Sequence, residues 1–199
     1  MDKQNLPYDA DNLTARPLEH YLERFRSTEL SEIAARTVLP AEGNTLTLTL
    51  LGEPRRVTWP DFADEGWTDK DRILALRFLL DGKRPGAAVG FLTYRELPWG
   101  ETYDRQFHAR CIARLAGTYG TRAKAFSDAC VRLGGRPVGK TGTGYAVEFM
   151  PGLTVQLLLW EADEDFPASA QILFSDNFPA AFSAEDCVYV CEYILKRLR

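Results

Sequence analysis

The sequence predicts an α+β fold: an antiparallel sheet built from hairpins, packed against several helices. Three observations carry that expectation. Residues 153–160 (LTVQLLLW) and 168–174 (ASAQILF) are apolar runs of strand length, parted by the acidic loop EADEDFP. Residues 44–59 alternate Leu46, Leu48 and Leu50 with Thr45, Thr47 and Thr49. Between and after these runs, apolar residues recur at helical spacing, without the regular strand–helix alternation of a parallel sheet.

In chain order, residues 1–16 are polar and read as a loosely held lead-in; residues 17–199 are expected to form a single α+β domain. Pro17 suits the first turn of a helix whose face is Leu18, Tyr21, Leu22 and Phe25. A second short helix follows over 31–38 and stops before Pro40. The threonines favour strand for 44–59, with Gly52-Glu53-Pro54 as the hairpin turn. Thr68 and Asp71 have capping-box spacing ahead of an apolar helix over 73–80, and Gly82 ends it. Residues 91–94 read as a short strand and 95–100 as a turn.

Tyr103, Phe107, Cys111, Leu115 and Tyr119, with Ile112, line one helix face that ends at Gly120. Thr121 is the expected cap of the next helix, whose face is Phe126, Ala129, Cys130 and Leu133. A strand over 145–150 turns at Pro151-Gly152 into 153–160, and 168–174 follows it. Ser183, with Asp186 three residues on, caps a last helix burying Cys187, Cys191, Ile194, Leu195 and Leu198.

The chain of 199 residues is 45% hydrophobic and 12% aromatic, enough for a packed core rather than disorder. A formal charge of −4 opposes a phosphate backbone, and the one basic run, Lys196-Arg197-Leu198-Arg199, ends a helix where cations belong anyway. The reading therefore includes no nucleic acid. It also includes no membrane and a cytoplasmic location, because neither a signal peptide nor a span of roughly 18 apolar residues is present. The four cysteines form no CxxC unit and read as buried thiols rather than a disulfide scaffold.

Several groupings offer chemistry. Tyr94, Arg95, Glu96, Trp99 and Tyr103 gather aromatics and charge around one turn, as a ligand pocket would; a packed turn with internal ion pairs has the same one-dimensional look. His108, with Asp104 one helical turn before it, is a candidate binding residue or an ordinary surface pair. Glu161, Asp163, Glu164 and Asp165 offer hard oxygen ligands for Mg²⁺ or Ca²⁺, or a solvated bend whose ends Trp160 and Phe166 clamp. Residues 134–141 fit the nucleotide phosphate loop G-x-x-x-x-G-K-[ST]. That motif acts between a strand and a following helix; here a helix precedes and a strand follows.

The stretches 73–80, 91–97, 103–107, 159–167 and 172–176 together resemble the domain of unknown function family three-seven-eight-six. Leu159-Trp160-Glu161-Ala162-Asp163-Glu164-Asp165-Phe166-Pro167 is the most specific part, and the match runs from about Leu18 onward. Ala162 stands where the family tends to glycine, and Asp165 where it tends to glutamate. The family occurs largely in anaerobic bacteria and archaea. Some members follow an iron–sulfur segment similar to that of corrinoid proteins, which implies a neighbourhood in anaerobic redox or one-carbon metabolism. The four-cysteine segment is not in these residues, so the resemblance names no cofactor and no catalytic residue.

The expected function is a binding or accessory domain for a protein partner or a small molecule, at a surface formed by the 94–103 turn and the acidic loop. A metal-assisted enzyme at 161–165 and nucleotide binding at 134–141 are the alternatives.

Overall fold

The computed structural model describes residues 17–63, 66–82, 89–139 and 142–199. The lead-in expected over 1–16 lies outside them, as do Lys140 and Thr141 of the phosphate-loop motif. The fold is α+β, with a three-stranded and a five-stranded antiparallel sheet among the described residues. The chain divides into two compact units: residues up to 48 with 56–84, and residues 49–55 with 85 onward.

The first unit holds α1 (Pro17–Ser27), α2 (Leu30–Thr37) and α3 (Asp69–Asp81). It also holds the base of a hairpin made by β2 (Thr45–Leu50) and β3 (Glu53–Thr58), which β1 (Ala41–Glu42) joins on the β2 side. The leucines of β2 are buried and its threonines half-buried, as the alternation predicts. Leu51 and Gly52 both have positive φ, the geometry that returns a tight hairpin. α3 is buried on most sides, and its Thr68–Asp71 capping box forms as expected. Arg36 donates to the carbonyls of Leu79 and Gly82, tying α2 to the end of α3. Trp59 Nε1 donates to the Phe25 and Thr28 carbonyls beyond the buried face of α1.

The second unit is organised on a sheet of order β4-β8-β7-β6-β5. Its strands are β4 (Phe91–Thr93), β5 (Arg136–Pro137), β6 (Thr143–Met150), β7 (Leu153–Trp160) and β8 (Ser169–Ser175). The two runs flanking the acidic loop are neighbouring antiparallel strands, with Trp160 opposite Ser169. Leu153, Val155, Leu157 and Leu159 are buried, while Thr154, Gln156, Leu158 and Trp160 are half-buried on the other face.

Helices of this unit are α4 (Gly100–Phe107), α5 (Ala113–Tyr119), α6 (Ala123–Arg132) and α7 (Ala184–Arg197). A single π turn, His108–Ile112, makes α4 and α5 one continuous rod. Ser183 and Asp186 form the capping box of α7, and its five predicted core residues are all buried. The expected Thr121 cap does not form. Arg122 holds the cap position without a side-chain bond, and a distant carboxylate replaces it.

Candidate functional site

The turn between β4 and α4 is built by local bonds. The Glu96 carboxylate accepts from the Thr93 amide at 2.7 Å and the Thr93 hydroxyl at 2.8 Å. Those bonds hold its pKa below the ordinary carboxylate value, the amide contributing most. Leu97 N–H donates to the Tyr94 carbonyl, and Gly100 N–H to the Leu97 carbonyl. Between them Trp99 is left-handed, at φ 65° and ψ 1°, and 42% exposed. At Gly100 a Cβ would stand 1.9 Å from the Tyr94 carbonyl oxygen, so only glycine fits. Tyr103, four residues after Trp99 and 39% exposed, stands one turn into α4.

Tyr94 belongs to the core: it is 2% exposed, stacks on Phe107 at 4.0 Å and donates its hydroxyl to the Ala184 carbonyl at 3.0 Å. Burial drives its pKa well above the ordinary phenol value. Arg95 pairs with Glu101 at 2.8 Å on the exposed rim. Glu101 first, then Asp104, hold that guanidinium charged. Asp104 thus acts on Arg95, and no described hydrogen bond links it to His108, which is exposed at the start of the π turn. Arg110, within that turn, forks onto Glu192 of α7 at 2.7 and 2.9 Å.

The acidic loop is exposed from 161 to 167, as expected of a tip. Its carboxylates do not converge. Glu161 Oε1 accepts from the Ala123 amide at 3.0 Å, supplying the cap of α6 that Thr121 does not, where a negative charge meets the helix dipole. Asp163 Oδ1 accepts from the Asp165 and Phe166 amides, closing its own turn. Glu164 and Asp165 point to water. Among the described residues no group of three His, Cys, Asp or Glu is placed to hold a metal. Of the three residues expected to hold a metal, Glu161 and Asp163 accept from backbone amides and Glu164 is exposed.

Trp160 lies on the half-buried sheet face, against Gly142, where a Cβ would meet Trp160 Nε1 at 2.9 Å. Thr93, where the turn leaves β4, pairs with Leu173, four residues and about 13 Å along β8 from Ser169, where the loop ends. The motif over 134–141 has the context that disfavours phosphate binding: α6 precedes it, and β5 lies within it, paired to β6. Cys111, Cys187 and Cys191 are buried, as the sequence suggested, and they pack together, with Cys111 Sγ 3.8 Å from the Val188 carbonyl.

What sequence reasoning missed is the left-handed tryptophan and the glycine that permits it. The signal was the Pro-Trp-Gly run, where a glycine follows a bulky residue directly before a helix.

These features define an α+β chain of two units, the second of which carries helices on a five-stranded antiparallel sheet with an aromatic turn after β4. The chain belongs to the family described as Domain of unknown function (DUF3786), whose model covers residues 29–197. No curated protein and no solved structure matches it. Among the described residues no helix is long and apolar enough to cross a membrane.

Proposed function

We propose that the chain is a partner-binding module that docks a protein through Trp99 and Tyr103. One observation carries the reading. Trp99 is held in a left-handed conformation that costs a bulky residue about 1–3 kcal/mol, and the surrounding turn is built to keep it there. Strain of this kind clusters at binding sites, and while Leu51 and Phe62 carry it buried, Trp99 carries it with its side chain exposed. Exposed aromatics on the same turn as an exposed ion pair, Arg95–Glu101, match the mix of apolar anchor and polar rim of protein interfaces. On the family resemblance, the partner is sought among proteins of anaerobic redox or one-carbon metabolism.

The test is a photo-crosslinking residue at Tyr103 in cells, followed by calorimetry with the captured protein. A discrete adduct is expected. Trp99→Ala should then weaken binding by about tenfold or more without lowering the melting temperature of the free chain below that of other surface truncations. No adduct, or equal affinity for wild type and Trp99→Ala, refutes the reading.

A further inference from the structure

In the second unit, α5, α6 and the residues that follow α7 border an open pocket of about 530 Å³. Tyr119, Ala125 and Leu198 line it together with three arginines, Arg122, Arg132 and Arg199. We propose that this pocket binds a small organic oxyanion, a phosphate monoester or a carboxylate, between the guanidinium groups of Arg122 and Arg132.

The charge is local and one-sided. The chain as a whole is at −4, yet three guanidiniums share this wall with a single acid, Asp128. Asp128 is itself paired with Lys124 at 2.9 Å, so its charge is offset before it reaches the pocket. Two of the three guanidiniums are anchored by hydrogen bonds at an exposed surface. Arg122 donates through both Nε and Nη2 to the Thr118 carbonyl and lies 5.5 Å over the Tyr119 ring. Arg132 Nη2 donates to the Leu198 carbonyl at 3.3 Å, an oxygen that also accepts from the Tyr119 hydroxyl at 2.7 Å.

A structural role accounts for part of this. Arginines at carbonyl ends of helices are common, and Arg122 serves α5 as Arg132 serves the end of α7. That role occupies one edge of each group. A guanidinium carries five N–H donors; the described bonds use two on Arg122 and one on Arg132. The remaining edges suit bidentate capture of a carboxylate or phosphate. The open pocket is larger than a bare anion, which leaves room beside the guanidiniums for a small carbon skeleton.

The full chain is titrated calorimetrically with inorganic pyrophosphate and, separately, with succinate. The Nε–Hε resonances of Arg122 and Arg132 are followed by NMR in the wild type. At least one probe is expected to bind and to move both resonances, and which one binds separates phosphate from carboxylate chemistry. Arg122→Gln and Arg132→Gln should each weaken binding by about tenfold or more. Both side chains are exposed, so neither change opens a void in the core. Trp99→Ala should leave anion affinity unchanged, which separates this site from the docking turn. Failure of both probes to bind, binding with both arginine resonances unmoved, or wild-type affinity in both variants overturns the proposal.

Discussion

Trp99 sits where a glycine would be at ease, and that mismatch is measurable. Trp99→Ala and Trp99→Gly both remove the indole and whatever packing it contributes. They differ in the backbone: φ 65° strains alanine and not glycine. Trp99→Gly should therefore be the more stable of the two by about 1 kcal/mol, read from urea midpoints at constant slope. Equal midpoints would mean the left-handed turn is not populated in solution. The same residues show what a sequence reveals about a site. Trp99 and Tyr103 were legible as candidates because aromatics mixed with charge around a turn resemble a ligand pocket; their exposure was not legible. Tyr94 carried the same signal and is core, since tyrosine serves both places and only the Phe107 stack and the Ala184 carbonyl decide between them. Glu161 was legible as an acidic residue, but its partner is an amide 38 positions earlier, beyond any local pattern.

The helical rod from Gly100 to Tyr119 shows why its elements were largely readable and one feature was not. Phe107, Cys111, Leu115 and Tyr119 are spaced by four and all buried. On an ideal α-helix, each step of four residues overshoots the turn by about 40°, so such a stripe winds away from the sheet. The π turn at His108–Ile112 takes in one extra residue and brings the stripe back. The strict four-residue spacing was visible as a helix but not as a helix needing correction. Strand alternation, capping boxes and turn glycines marked most of the other elements, because each is a local rule. β5, two residues long, has too little pattern to be seen. One consequence is counterintuitive. Deleting Ala109, exposed and off the buried stripe, should convert the wide turn to α geometry while leaving the core contacts on both sides in place. The cost should be within about 2 kcal/mol by urea denaturation, with helical circular dichroism retained. Deleting Ala116, outside that turn, should cost far more, because it rotates Tyr119 off the core. If the two deletions are equally damaging, the π turn does not set the register.

At the scale of the second unit's interior, several groups are kept from ionising by burial. Desolvation pushes the Cys130 thiol up to about 12 and lifts Cys187 and Cys191 well above the ordinary value of 9.0. The Tyr94 phenol moves the same way. The sign of the stability effect follows from proton counting. Below the ordinary thiol pKa these groups are protonated in both native and unfolded chains, and they add no pH dependence. Above it the unfolded chain sheds protons that the native fold retains, so the unfolded state gains. Each such thiol then removes about 1.4 kcal/mol of stability per pH unit. Urea midpoints for this unit should be flat across neutral pH and fall steeply once pH passes about 9. Only the thiolate alkylates. Iodoacetamide at about pH 8 should therefore leave Cys130, Cys187 and Cys191 unmodified in the native chain and label all of them in urea, as peptide mass spectrometry would resolve. Fast native labelling at any of the three would show that its surroundings open to water far more often than a packed core allows. A flat alkaline profile would show that the thiols are not buried as a group.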